Sequence, residues 1–512
     1  MTTTEDRVVV QAGLSAYPEQ PPFSPAIAYP EYDLGGPLSS EPNTCYDAVR
    51  NCFRLAGLHS AAFESSAWNP LSDLIHDGEF VLLKPNLVKE VHPRDGRGWR
   101  YVLTHGSVIR AVADYVFKAV GPRGKVIIGD APQTDSSFAT MVRVLGLDSL
   151  RDFYTARGLT LELIDFRLEE WVNSGGVIVE RHKLPGDPRG CVAFDLGSDS
   201  EFADHVGAGN YYGADYDLGE VNRHHSGGRH EYLISGTAIA CDVLFSLPKL
   251  KTHKKAGITV SLKNLVGVNG DKNWLPHHTE GARANGGDEH PNPGRKHLLE
   301  RRALAILRSF SMATPSIGTL VHRAARWAGR PVFGDTETVV RNGNWWGNET
   351  IWRMCLDLNK LILYGTTDGT LRSPLPMNRK RHLALVDGII AGEGRGPMNP
   401  DPVPAGILLF GVHPPSVDAT SAWLMGFDPD KIPIVRQSFR CRGFPLAVGN
   451  WRDIKVTSNR PDWQGPLPEI ADETTFHFQP HFGWIGHIER EPSTCEQPRI
   501  DLLLSSDSPA AR

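Results

Sequence analysis

The chain of 512 residues lacks the cysteine spacing of a metal-cluster protein. Its seven cysteines are scattered between positions 45 and 495, and no two of them form a Cys-x-x-Cys pair. Structural zinc sites and iron–sulfur clusters need several thiolates close together. We therefore expect no iron–sulfur cluster, and we interpret the cysteines as the reduced thiols of a cytoplasmic protein.

The sequence also lacks a strong charge bias and long apolar runs. It has 54 Lys and Arg against 59 Asp and Glu, a net charge of -5, whereas nucleic-acid and anionic-membrane binders carry a broad basic surface. No run approaches the roughly 18 apolar residues of a membrane span, and the first ten residues have no signal-peptide pattern. We expect a globular cytoplasmic protein that binds neither nucleic acid nor membrane. The sequence does not indicate an oligomeric state.

Three segments share one layout, in which an apolar strand ends in polar residues and a helix follows. Continuous apolar strands are typical of parallel sheets that are buried on both faces. The predicted strands are residues 80–83, 125–130, 241–248, 382–390 and 406–410, and the predicted helices are 104–120, 256–266 and 416–425.

The layout predicts an α/β fold with an open, mainly parallel sheet flanked by helices, a helical and loop insertion, and irregular terminal extensions. The insertion is expected to carry helices around residues 298–310 and 345–363. The expected boundaries are an N-terminal extension over 1–75, the first part of the core over 76–270, an insertion or lid over 271–380, the second part of the core over 381–440 and a C-terminal extension over 441–512.

Two lysines and a histidine follow the strand at 241–248. If residues 249–253 are extended, Lys249, Lys251 and His253 share one face, and a helix that starts nearby adds free N–H groups. Such a face suits a phosphate or carboxylate group, and the alternative is a solvated strand end. Lys263 lies with Asn264 in an otherwise apolar helix, where a lysine needs a partner or a ligand.

Three carboxylates are candidate ligands of a cation. Asp387 lies inside an apolar strand, where a charge is costly unless it is paired or bound to a cation. Asp130 ends another strand, and Glu393 lies in a glycine-rich loop. These acids could hold Mg²⁺ or a similar divalent cation against an anionic substrate. The alternatives are that Asp130 caps a helix and that Asp387 pairs with a core lysine such as Lys263.

Several motifs between residues 80 and 435 together resemble the DUF362 family of uncharacterised bacterial and archaeal proteins. They are Leu83-Lys84-Pro85-Asn86, Thr104-His105, Gly129-Asp130, the run from Ser246 to His253, the run from Ser261 to Gly267, and Val386-Asp387-Gly388. His413-Pro414-Pro415 departs from the more usual Asp-Pro-Val, which removes one candidate carboxylate ligand.

The resemblance implies two further expectations. Many members of the family carry a ferredoxin-like iron–sulfur segment, for which this chain lacks the cysteines, so no electron-transfer role follows. The family is also distantly similar to the amino-terminal domain of the lactate-racemase proteins, which implies an anionic ligand and an enzyme.

Together these features predict a metal-assisted enzyme that acts on a small phosphorylated or carboxylated substrate. His253 and Lys263 are the expected catalytic residues. The expected substrate-binding residues are Lys84, Asn86, Lys249, Lys251 and Asn264, and the expected metal ligands are Asp130, Asp387 and Glu393. The alternative is a non-catalytic protein that binds an anionic metabolite or supports an assembly.

Overall fold

The structure is a computed structural model that describes residues 6–174, 177–213, 218–293 and 339–491. Within these ranges the strands are Arg7–Ala12 (β1), Phe80–Pro85 (β2), Lys125–Asp130 (β3), Leu161–Asp165 (β4), Glu169–Ser174 (β5), Val177–Lys183 (β6), Cys191–Asp195 (β7), Tyr211–Tyr212 (β8), Glu231–Ser235 (β9), Val243–Leu247 (β10), Lys249–His253 (β11), Gly257–Thr259 (β12), His278–Thr279 (β13), Arg381–Glu393 (β14), Asp401–Val403 (β15), Ile407–Gly411 (β16), Lys455–Ser458 (β17) and Gly465–Pro466 (β18).

One large mixed sheet organises the described part of the chain. Its strands lie in the order β18, β17, β1, β16, β14, β10, β2, β3 and β4, with β11 and β15 also paired to β14, and β12 to β11. The central run from β14 through β10, β2 and β3 to β4 is parallel. Because parallel strands end at the same edge, the polar residues that follow them are brought together.

Helices cover both faces of this sheet. They are Thr44–Leu55 (α1), Gly106–Val120 (α2), Phe138–Val144 (α3), Leu147–Thr155 (α4), Leu218–His224 (α5), Gly236–Ala240 (α6), Ser261–Asn264 (α7), Ile351–Tyr364 (α8), Pro414–Leu424 (α9) and Pro433–Ser438 (α10). α2 begins where the His105 side chain accepts the Ser107 N–H, and it ends at Gly121, whose φ of 62° favours glycine.

Two apolar clusters form the core, one on each face of the sheet. Leu82 and Leu244 belong to the cluster that includes α8 and α9, whereas Val81 and Leu83 belong to the cluster that includes α1 and α2. Neighbouring residues of a strand point to opposite faces, so continuous apolar strands bury both sides of the sheet. The predicted α/β fold is confirmed in this way.

One predicted helix is wrong. Residues 256–266 were expected to form a helix, but Gly257–Thr259 is a strand that pairs antiparallel with β11, and only Ser261–Asn264 forms an α-helical turn. Gly257 has a φ of 82°, which belongs to the left-handed region and does not fit a right-handed helix. Pairing with β11 also satisfies backbone groups that a helix would have left at the strand edge.

Other sequence expectations can be compared with the described residues. The predicted N-terminal extension contributes β1, which lies between β16 and β17, and the helix α1. The helix expected around 345–363 is present as α8, whereas the one expected at 298–310 lies outside the described residues. The six cysteines within the described ranges form no disulfide. None of the described helices has the length and apolar character that crossing a bilayer requires.

Candidate functional site

The site lies where β2, β3 and β10 end and β11 begins. Pro248 separates β10 from β11, and the carbonyl of Pro248 accepts the Asp387 N–H of β14 at 2.8 Å. The predicted extended segment Lys249–His253 is confirmed as β11. Its period of two residues places Lys249, Lys251 and His253 on one face.

Lys84 is fully buried and ion-paired. Its Nζ lies 2.8 Å from Oδ1 of Asp130 and donates to the carbonyl of Pro85 at 2.8 Å and to Oδ1 of Asn264 at 3.3 Å. The other Asp130 oxygen accepts the Leu87 N–H. Burial lowers the pKa of Lys84 and raises the pKa of Asp130, while their mutual attraction opposes both changes.

Asn264 links the ends of two neighbouring strands. Its amide group donates to the carbonyl of Lys84 and to Oγ of Ser246, and its oxygen accepts the side-chain amide of Asn86 at 3.2 Å. A Cβ atom on Gly267 would lie 1.8 Å from Oδ1 of Asp130. Glycine is therefore required where the chain after α7 passes the ion pair.

Lys249 forms the second buried ion pair. Its Nζ lies 3.1 Å from Oδ2 of Asp387 and donates to the hydroxyl of Tyr17 at 2.6 Å. The Tyr17 hydroxyl donates to Oδ1 of Asp387 at 2.6 Å, and the His105 N–H donates to Oδ2. The alternative that Asp387 pairs with a core lysine is thus confirmed, but the partner is Lys249 and not the suggested Lys263. We refer to Lys84 and Lys249 as the paired lysines.

Two further buried lysines have only backbone partners. Lys251 is 0% exposed, and its Nζ donates to the carbonyl of Val102 at 2.5 Å. Lys272 donates to the carbonyls of Val266 and Asn269 at 2.7 and 3.3 Å. Burial lowers the pKa of Lys251 well below its usual value and lowers that of Lys272 to about 7.

Lys263 is the most open of these lysines. It lies in α7 and is partly buried, and its Nζ has neither a hydrogen-bond partner nor a carboxylate partner within the described residues. Burial lowers its pKa below the usual value. We refer to Lys251, Lys263 and Lys272 as the unpaired lysines, because no carboxylate of the described chain lies in ion-pair contact with them.

One ring nitrogen of His253 already accepts hydrogen bonds from the backbone. Its Nδ1 accepts the N–H groups of Lys255 and Ala256 at 3.0 and 3.1 Å. In the neutral ring Nε2 therefore carries the proton, and Nε2 has no partner in the described part of the chain. Burial lowers the pKa of His253 well below 6.5, and the charges of Lys263, Lys254 and Lys251 lower it further.

The amino end of α7 is already occupied. The N–H groups of Ser261 and Leu262 donate to the two carboxylate oxygens of Asp418 at 2.8 and 3.0 Å. The expectation that free N–H groups of this helix would bind an anion is therefore wrong. Burial raises the pKa of Asp418 to about 7, although these two hydrogen bonds oppose the change.

The three predicted metal ligands lie apart. β14, which carries Asp387, and β3, which carries Asp130, are separated by three strand spacings, or about 14 Å at the usual spacing of neighbouring strands. Glu393 is at the far end of β14, where its Oε2 accepts the Gln479 N–H at 2.8 Å. No group of three or more His, Cys, Asp or Glu in the described ranges could hold a metal ion.

Two residues of this region were missed by sequence reasoning. Tyr17 comes from the predicted N-terminal extension, and its neighbours in the sequence carry no periodic pattern that points to the sheet. Lys272 follows a turn after α7 and resembles an ordinary loop lysine. In contrast, Lys84, Asn86 and Asn264 were predicted as neighbours and do form one hydrogen-bonded network.

Comparison with known proteins gives a family match over part of the chain and indicates no activity. Residues 200–423 match the family described as "Domain of unknown function (DUF362)". No curated protein matches the chain. A crystal structure of a protein from Thermotoga maritima is similar with a TM-score of 0.27 and 11% identity, covering 68% of this chain and 54% of that one. The chain thus spans about half the length of that protein, and so low a TM-score supports no functional argument.

Proposed function

We propose that this chain, of which residues 200–423 match a family whose description names no activity, binds a small phosphorylated or carboxylated molecule at the unpaired lysines. We further propose that it is an enzyme in which the Nε2–H group of His253 donates a hydrogen bond to the substrate, because the acid/base role expected from the sequence does not fit a ring whose Nδ1 already accepts two N–H groups. The observation that carries this proposal is the absence of a carboxylate partner, within the described residues, for three neighbouring lysines.

Charge balance supports an anionic ligand. A buried cation without a counter-charge is costly, and each paired lysine shows how the protein meets that cost with its own aspartate. At the unpaired lysines a bound anion would take the place of the aspartate. Beyond the larger effect of burial, the charge of Lys263 lowers the pKa of its neighbours Lys84, Lys251, His253, Lys272 and His277.

His253 is suited to donating a hydrogen bond. Two backbone N–H groups fix its ring through Nδ1, so Nε2 has a defined orientation. Burial and, to a smaller extent, the nearby positive charges keep the ring neutral at pH 7. Because Nδ1 is already occupied, the neutral ring presents the N–H group of Nε2, which can donate a hydrogen bond to an oxygen of the substrate.

In this proposal the predicted divalent cation is not bound by the protein's own carboxylates. Asp130 and Asp387 each form an ion pair with a lysine. Their negative charges are therefore balanced by the protein itself and not by a metal. A cation such as Mg²⁺ would instead arrive bound to the anionic substrate. Ligand affinity that is unchanged in EDTA would remove the metal from the proposal.

A thermal-shift screen tests the anion site. Inorganic phosphate and oxalate should raise the melting temperature of the wild-type protein, because a ligand that binds only the folded state stabilises it. Lys263→Met should abolish the shift, whereas Lys183→Met, at an exposed lysine, should keep it. A shift that Lys263→Met retains would contradict the proposal.

The same screen separates an enzyme from a sensor. Phosphorylated and carboxylated metabolites that stabilise the protein are incubated with it and then analysed by mass spectrometry. Turnover of a stabilising compound that Lys263→Met no longer performs supports an enzyme. Compounds that bind and stay unchanged support the alternative, a non-catalytic protein that binds an anionic metabolite.

A further inference from the structure

Lys263 differs from the other lysines of the site in what its amino group touches. Each of the other four donates to named protein atoms and is at most 5% exposed. Lys263 alone is partly exposed, and no described residue accepts a hydrogen bond from its Nζ. Among these lysines, its amino group is therefore the one that is open to a ligand.

The backbone on both sides of Lys263 is fixed. On one side, Leu262 donates its N–H to Asp418, and its carbonyl accepts the Asn359 side chain at 2.9 Å. On the other side, Asn264 joins the network of Lys84. These contacts fix the position from which the Lys263 side chain extends.

The surroundings of Lys263 increase the fraction of its amine that is neutral. Burial lowers the pKa of Lys263, and no carboxylate of the described chain lies within ion-pair distance to restore it. A lysine amine is nucleophilic only without its extra proton, and desolvation beside other cations is a known means of activating it.

We propose that the Nζ of Lys263 forms an imine with an anionic aldehyde or ketone. This inference rests on the proposed anion site and names its substrate class. The positive charges of the other unpaired lysines, Lys251 and Lys272, which are themselves at most 5% exposed, would attract the substrate's carboxylate or phosphate to the amino group of Lys263. Its carbonyl carbon would then face the open amine.

The reaction balances without an oxidant or a reductant. The lone pair of Nζ attacks the carbonyl carbon, a C–N bond forms, and the oxygen receives a proton to give a carbinolamine. Nitrogen then loses a proton as the hydroxyl group leaves as water, which gives the imine. Because Lys263 is partly exposed, solvent water can carry the proton from the nitrogen to the departing hydroxyl group.

Reductive trapping tests the proposal. The protein is incubated with glyoxylate, an anionic aldehyde, and with sodium cyanoborohydride, and modified lysines are located by peptide mass spectrometry. A lowered pKa raises the neutral fraction of an amine at a given pH, so Lys263 should be modified faster than exposed Lys183. Oxalate, which has no reactive carbonyl, should protect Lys263 and leave Lys183 unprotected.

Lys263→Arg separates this inference from the anion site, because it keeps the charge and removes the nucleophile. The variant should retain its thermal shift with oxalate and lose the glyoxylate adduct on that peptide. A wild-type protein that is stabilised by oxalate but is modified at Lys263 no faster than at Lys183 would overturn the imine and leave the anion site. Preferential modification of Lys251 or Lys272 would also overturn it. If oxalate does not stabilise the wild-type protein and Lys263 is not preferentially modified, both proposals are overturned.

Discussion

The paired and unpaired lysines occupy the same region of the protein and differ in their partners. Lys84 and Lys249 each contact an aspartate, whereas Lys251 and Lys272 contact only carbonyl groups and Lys263 contacts no acceptor of the described chain. Burial lowers the pKa of all five. This difference in partners is the basis of our proposal that the unpaired lysines bind a ligand, whereas each paired lysine is balanced by an aspartate of the protein.

The largest expected effect is at the pair of Lys249 and Asp387. Asp387→Asn leaves a buried ammonium group without its counter-charge and should destabilise the protein by about 3–5 kcal/mol. Lys249→Met combined with Asp387→Asn should restore most of that loss, since replacing both members of a buried pair is often nearly neutral. Unfolding by urea measures the free energies.

A surface pair provides the matched control. Lys125 contacts Glu162, and their side chains are 38% and 37% exposed; breaking such a pair typically costs less than about 1 kcal/mol. Lys125→Met should therefore change stability little. A small loss for Asp387→Asn, comparable to that of the surface variant, would show that the buried pair is not the structural element described above.

Asp418 provides the reverse case, a buried carboxylate with no ion-pair partner in the described ranges. Its pKa is about 7 in the folded protein against 3.8 for an unperturbed aspartate. Because its folded pKa is raised, it contributes stability that is full below about pH 4 and is lost as the pH rises toward 7, at up to about 1.4 kcal/mol per pH unit. Urea unfolding between pH 4.5 and 7, chosen to span about that interval, gives the slope.

Asp418→Asn should remove this contribution to the pH dependence. The amide oxygen of asparagine can still accept one of the two N–H groups of α7, while its NH₂ group cannot accept the other. We expect a moderate loss of stability at low pH and a flatter pH profile than that of the wild type. An unchanged slope would assign the pH dependence to other groups.

Replacing Lys263 should affect stability far less than breaking an ion pair. Lys263→Met removes a partly buried cation that has no partner in the described chain, so the free energy of unfolding should stay within about 0.5 kcal/mol of the wild type or increase. Lys249→Met, which leaves the buried Asp387 carboxylate without its ion-pair partner, provides the comparison. Equal losses in the two variants would show that the two classes of lysine do not differ.

The smallest effect concerns protons taken up with the ligand. The pKa of Lys272 is lowered to about 7, and a bound anion favours the charged form and raises that pKa again. Anion binding should therefore be coupled to proton uptake, and affinity should fall as the pH rises above 7, by less than about tenfold per pH unit. Calorimetry of phosphate binding in buffers of different ionisation enthalpy measures the uptake. Equal heats in all buffers would exclude it.

Much of the fold could be predicted because the central strands are short, continuous apolar runs. β2, β3 and β10 are buried on both faces, and no other element fits such a composition at that length. The region after His253 was harder, since Ile258, Val260 and Leu262 are apolar and compatible with either a strand or a helix. The positive φ of Gly257 decides between the two, and φ cannot be derived from the presence of glycine alone.

The region of the candidate site could be predicted from the sequence, but the ion pairs within it could not. Polar residues after parallel strands meet at one edge, and this placed Lys84, Lys249 and Asp387 in one region. Which lysine faces Asp387 depends on the register of β11 against β14, where Lys249 is aligned with Asp387. Tyr17 reaches the same carboxylate from far along the chain, a contact that no local pattern predicts.

Titration calorimetry with inorganic phosphate tests the anion site most directly. The wild-type protein should bind phosphate saturably at a single site at pH 7. Lys263→Met should lose at least about tenfold in affinity, the scale of one charge-assisted hydrogen bond, while its melting temperature does not fall. Equal affinity in the two proteins, or a Lys263→Met protein that is strongly destabilised and still binds phosphate, would contradict the assignment of the unpaired lysines to a ligand.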